Sequence, residues 1–253
     1  MLGLLLACLS AAAAVTEVPR SRIPAVKEQF DPFLAGLDSV DEIMLVLDTA
    51  YPHATALQKL DAADALLRRR FIHSYSYFRF DQNWLAASLR PIWADLASPV
   101  LPDDILLHRR AACSQQALVF LEVSRRLGFD YAAVGAPGHF MSGVKIDGRW
   151  WVYDADQEVS VRRYPFAWLQ RGDPRLDGVY EPTGARLLHA AAHAGKVKLS
   201  SINRFAAPQA RLLHQVTALV SDFGWFVVLM AWALLSLTVV QRRTEPSAAF
   251  VPA

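Results

Sequence analysis

Apolar residues recur at helical spacing through the first half of the chain. Ser39 precedes an apolar run that reaches about Asp48, with Asp41 and Glu42 in its first turn, which predicts a helix N-capped by the serine. From Thr55 to about Phe71, the residues Leu57, Leu60, Ala63, Leu66 and Leu67 keep the spacing of one helical face. Arg68-Arg69-Arg70 closes that run, and three cations at a C-terminus read as a solvated end facing the helix dipole. A third helix is predicted from Gln82 to Arg90, interrupted by Pro91; Pro99 and Pro102 then bracket a loop in which Asp103 and Asp104 cap the turn into Ile105. Ala112 to Leu127 carries Ala117, Leu118, Phe120, Leu121, Val123 and Leu127 at helical spacing, and Gly128 supplies the stop.

After Gly128 the period changes to two. Asp130 to Ala136 reads as a strand, Pro137-Gly138 as a turn, and His139 to Ile146 as a second strand, with Phe140, Ser142, Val144 and Ile146 opposite Met141, Gly143 and Lys145. Asp147-Gly148 is a two-residue hairpin turn, because both positions tolerate positive φ. Arg149 to Asp154 returns as the partner strand, and Glu158 to Arg162 is a further candidate. One helix followed by sequential antiparallel strands gives an α+β core. Residues 163–215, with Pro165, Pro174 and Pro182, read as a covering segment.

The two ends differ from this pattern. Phe223 to Val240 contains no charged residue, and a longer apolar stretch from 216 to 240 predicts a transmembrane helix, with Trp225 at an interface and Arg242-Arg243 as a stop-transfer flank. Residues 241–253 form a short tail. Residues 1–14 resemble a secretion signal with Ala12-Ala13-Ala14 as a cleavage site, while Leu5-Leu6-Ala7-Cys8 also resembles a lipoprotein box; an uncleaved anchor is the third possibility. Together the ends place the intervening domain outside the cytoplasmic membrane of a bacterium.

Composition narrows the classes. At 53% hydrophobic and 20% charged residues the chain is neither disordered nor low in complexity. A net charge of +2 with no long Lys/Arg block gives a nucleic-acid partner no electrostatic support. Of two cysteines, Cys8 lies in the signal-like segment, so Cys113 is left without an internal disulfide partner. His189 and His193 are spaced i, i+4 but lack a third ligand in sequence, so no metal site is read there.

Cys113 opens a helix, where the dipole favours a thiolate. His139 opens a strand, and Asp154 ends its hairpin partner. Counting back from the turn, His139 faces residue 156 in perfect register, so both Asp154 and Asp156 are candidates to orient the imidazole.

The run Cys113…Leu127-Gly128-Phe129…Gly138-His139-Phe140…Gly148-Arg149-Trp150-Trp151-Val152-Tyr153-Asp154 resembles the transglutaminase-like superfamily of papain-fold thiol enzymes. The resemblance spans about residues 105–160. It departs at Ala111, where a Gly is usual, at Phe140, and at Ala155-Asp156 after the final Asp. It implies a domain over 21–205, made of a helical half (21–110), a catalytic core (111–162) and a covering segment (163–205). It implies Cys113 as nucleophile, His139 as general base and Asp154 as orienter. It further implies an amide-cleaving activity on a protein or peptide through a thioester, hydrolysis ahead of crosslinking, and no metal or organic cofactor. The alternative is an inactive relative acting as a binding or assembly module at the membrane. The glutamine that assists the oxyanion in papain-type enzymes is missing before Cys113. Gln115 and Gln116 lie on the helix itself, pointing the wrong way for that role, which leaves Tyr75, Tyr77 and Trp84 as candidate donors.

Overall fold

The structure is a computed structural model that describes residues 30–156 and 160–244. The signal-like segment 1–14, with Cys8, lies outside the described residues.

Local sequence sets the helix starts. α1 (Val40–Ala50) begins where Ser39 Oγ accepts the Glu42 N–H at 3.2 Å. α2 (Ala56–Arg70) begins with a reciprocal capping box: Thr55 Oγ1 accepts the Gln58 N–H at 3.2 Å, and Gln58 Oε1 accepts the Thr55 N–H at 2.8 Å. β1 (Ile72–His73), α3 (Phe80–Leu89), α4 (Pro102–Leu106) and β2 (Arg110–Ala111) lead to α5 (Cys113–Arg126). Asp103 caps α1 rather than its own turn, accepting the Val40 N–H at 2.8 Å. Gly128, at φ 85°, ends α5 by a Schellman arrangement in which the Phe129 N–H bonds Ser124 O at 3.0 Å.

β3 (Asp130–Ala136), β4 (His139–Ile146) and β5 (Arg149–Tyr153) form the predicted meander. The β4–β5 turn has Asp147 at φ 50° and Gly148 at φ 76°, both positive, as a type I′ turn demands. β6 (Tyr164–Pro165) and β7 (Lys198–Leu199) complete an antiparallel sheet of order β6-β5-β4-β3-β7. The expected strand at Glu158–Arg162 falls partly outside the described residues; residues 160–162 are not in a strand, and β6 takes that edge of the sheet. Ser160 is drawn elsewhere, its N–H bonding Val179 O at 3.1 Å and its hydroxyl bonding Gly178 O; residues 157–159 lie outside the described residues.

The alternation of β4 and β5 divides the core in two. Val144, Ile146 and Tyr153 pack with Val119, Phe120 and Val123 of α5 and Leu60 and Leu67 of α2. Met141 and Val152 face the other way, against Tyr164, Leu169, Leu176, Tyr180 and Leu188. The covering segment is therefore a true third layer, containing α6 (Phe166–Arg171) and α7 (Pro182–His193). Gly143 marks where β3, β4 and β7 crowd together: a Cβ there would lie 3.0 Å from Val134 Cγ2 and 3.1 Å from both Ala132 O and Leu199 Cδ1. Gly143→Ala is expected to destabilise the domain by about 1–3 kcal/mol, because the backbone oxygen cannot yield; an unchanged denaturation midpoint would refute this.

The reading of Arg68-Arg69-Arg70 as a solvated end is corrected. Arg70 is 0% exposed and Arg68 is tied to buried Asp64 by bonds of 2.8 and 3.2 Å, so that among the three only Arg69 is exposed. Helix periodicity shows this: Arg70 follows Leu60, Ala63 and Leu67 on the inward face, where its guanidinium terminates the carbonyls of neighbouring loops.

The stretch 216–240, expected to be a single transmembrane helix, falls within a bent helix. α8 (Pro208–Thr244) bends by 44° between its halves Pro208–Gly224 and Leu229–Leu237. Among the described residues no single helix is long and apolar enough to cross a membrane, although the two halves together pass by length and composition. The first half is docked on α3. Asn83 Nδ2 donates to Thr217 Oγ1 at 2.9 Å, Ser221 Oγ donates to Asn83 Oδ1 at 3.0 Å, and the Leu85 N–H bonds Ser221 Oγ at 3.2 Å. These polar ties join residues 217–221 to the helical half of the domain. From Phe226 onward, Leu229, Met230, Trp232, Leu234 and Leu235 are exposed.

Candidate active site

Cys113 is the first residue of α5, so its backbone stands among the unpaired N–H groups at the positive end of the helix dipole. The ladder between β4 and β5 runs from Ile146↔Arg149 to Ser142↔Tyr153 and stops there. One step further would place Asp154 opposite Met141, on the face that also carries His139. The two are thus diagonal neighbours on one face, within reach of each other's side chains. His139 Nε2 lies 2.6 Å from Asp154 Oδ2. With Nε2 engaged, the ring's Nδ1 is left for the thiol, and a hydrogen bond and the charge of Cys113 both act on the imidazole.

Asp154 is the buried end of a relay. Its side chain is 1% exposed. Tyr180 donates its hydroxyl to Asp154 Oδ2 at 2.9 Å, and Tyr164 lies 2.6 Å from the Tyr180 oxygen. Burial pushes the Asp154 carboxyl up, but the His139 charge and hydrogen bond, Arg68 and Tyr180 outweigh it, and the net shift is downward. Burial likewise pulls the imidazole down, but the Asp154 charge and hydrogen bond and the Cys113 contact outweigh it, and His139 is held well above its ordinary value. Both directions favour an imidazolium on a carboxylate. Arg68 stands between two acids, Asp154 and Asp64; burial above all raises Asp64 to about 6 despite that partner.

Asp156 is held by other partners than His139. The parallel pairing of β1 with β2 sets His73 beside Ala111, two residues before the cysteine. There His73 Nδ1 bonds Asp156 Oδ1, and Gln116 Nε2 donates to the same oxygen at 3.2 Å. Ligand atoms of Cys113, His139 and Asp156 nevertheless all lie within 4.8 Å of one another. Cys113 therefore sits between two His–Asp pairs, one of which holds His139 itself. The choice that the sequence left open falls on Asp154 as the partner of His139.

Gln115 is structural, consistent with its helical placement. Gln115 Oε1 accepts the N–H groups of Ser76 and Ala112, each at 3.1 Å, and its amide nitrogen donates to Ser98 Oγ and Pro99 O at the same distance. This fixes the segment carrying Tyr75. Of the three aromatic candidates, Tyr75 is the one whose hydroxyl feels Cys113: burial first, then the cysteine's charge, raises its pKa. Trp84 instead donates to Ser221 O at 3.3 Å, and Tyr77 lies under Arg90, 4.3 Å from ring centre to guanidinium. A cleft of about 730 Å³ opens from Tyr75 along Tyr77, Arg79, Arg90, Arg109 and Arg110.

Sequence reasoning missed His73, Tyr180 and Arg68 as neighbours of the site. The Asp64–Arg68 spacing of i, i+4 was a readable signal for a pair; His73 and Tyr180 carried none, since only folding brings them in. His189, read as a chance histidine, bonds Asp177 at 2.9 Å and the Gly172 carbonyl at 3.2 Å, a structural role. Compared with known proteins, the chain matches no family model, no curated protein and no solved structure.

Proposed function

We propose that this chain is a transglutaminase-like thiol enzyme that cleaves amide bonds of a protein or peptide. The observation that carries this reading is His139 pinned through Nε2 to buried Asp154, with its other ring nitrogen left for a cysteine at a helix tip. In the first half-reaction the proton of the Cys113 thiol is held on His139 while the sulfur bonds the substrate carbonyl carbon. The resulting oxyanion is received by the Cys113 backbone N–H and the Tyr75 hydroxyl. The imidazolium returns its proton to the leaving nitrogen, the C–N bond breaks, and a thioester remains. Water, deprotonated by His139, then attacks the thioester; the acid departs and the thiol is restored. Hydrolysis is favoured over transfer to an amine. The apolar second half of α8 anchors the chain in the cytoplasmic membrane, with Arg242 and Arg243 on the cytoplasmic side and the domain outside.

Iodoacetamide labelling tests this directly. Cys113 is expected to label at neutral pH at least about tenfold faster in the native protein than in His139→Ala, because the base that takes the thiol proton is gone. Equal, slow labelling of both proteins would discard catalysis in favour of an inactive binding module.

A further inference from the structure

Asp156 has no part in that cycle, yet its carboxylate is buried beside the nucleophile. Held there by His73 and Gln116, it adds a second negative group beside the thiol, which acyl chemistry does not call for. A cation bridging carboxylate and sulfur would use both. Cys113 Sγ, a His139 ring nitrogen and an Asp156 oxygen lie within 4.8 Å of one another. A tetrahedral zinc with bonds of about 2.0–2.3 Å wants donor separations of about 3.4–3.7 Å, within reach of small side-chain rotations. Sulfur, imidazole and carboxylate together are a zinc-type donor set, and three protein donors leave a fourth position open.

The outer partners fit as well. His139 engages Asp154 through Nε2, which leaves Nδ1 as the nitrogen a metal would take once it displaces the proton there. Asp156 is steadied by His73 and Gln116. Gln116 is 3% exposed, and its Oε1 is buried without a hydrogen-bond partner among the described residues, which leaves an acceptor on the same amide that steadies Asp156.

We propose that Cys113, His139 and Asp156 form a zinc site that reversibly silences the thiol, the metal acting as an inhibitor and displacing the thiol proton to solvent. The silencing rests on the thiol-enzyme reading; the metal site does not. The full chain in detergent, freed of metal with a chelator, is titrated with Co²⁺ and read by absorbance. One equivalent is expected to give a thiolate-to-cobalt charge-transfer band that is lost in Cys113→Ala. Asp156→Asn is expected to weaken binding at least about tenfold, and His73→Gln, which leaves all three donors in place, by about tenfold through loss of support. Absence of the band, or equal cobalt affinity in the native protein and in whichever of Asp156→Asn and His73→Gln folds, would overturn the site. Normal iodoacetamide labelling without cobalt binding removes the metal proposal alone; cobalt binding without His139-dependent labelling removes the enzyme reading alone.

Discussion

Asp154→Asn lowers kcat/KM on a quenched-fluorescence peptide by about a thousand- to ten-thousandfold, the loss expected when a base is held in the wrong tautomer. The amide keeps the shape of the carboxylate but removes the charge that holds His139 protonated above its ordinary value. It can also present an N–H to Nε2, which would leave the proton on the nitrogen that must receive the thiol's. Asp156→Asn is the matched control, costing less than about tenfold, because Asp156 contacts His73 and Gln116 rather than Nε2 of the base. Equal losses in both variants, or the larger loss at Asp156, would reverse the assignment of the orienter.

Arg70→Met destabilises the domain by about 3 kcal/mol while leaving Cys113 labelling per folded molecule unchanged. The guanidinium bonds Leu106 O at 2.5 Å, His108 O at 3.1 Å and Leu37 O at 3.2 Å, from a site that is 0% exposed. Methionine fills much of the volume but leaves three carbonyls without that donor, each costing about 1–3 kcal/mol where burial keeps water out. Part of this is offset, because burial above all holds the Arg70 pKa down to about 10, so its charge is itself disfavoured there. The check is a denaturant titration: a lower midpoint at unchanged slope supports the assignment, and an unaltered midpoint refutes it.

Much of the local plan was legible without coordinates. The strand bounds of β3 and β4, the Asp147-Gly148 turn, the Ser39 cap and the stop at Gly128 all depend on residues within a few positions of one another. The order of cysteine, histidine and aspartate was legible too, but the hairpin count set residue 156 opposite His139 and left the choice of aspartate open. The bend in α8 was not legible, because an apolar run reports length but not what its first half touches.

By itself, then, the sequence determined an α+β chain with a cysteine at a helix tip and a hairpin behind it, because periodicity, caps and turn dihedrals are short-range properties of adjacent residues. Only tertiary structure decided which of two aspartates holds the histidine, that Tyr180 and Arg68 complete that charge, and that Arg70 points inward. Those outcomes turn on which side chains from distant segments share one buried volume, where desolvation makes each unpaired charge costly and each partner decisive.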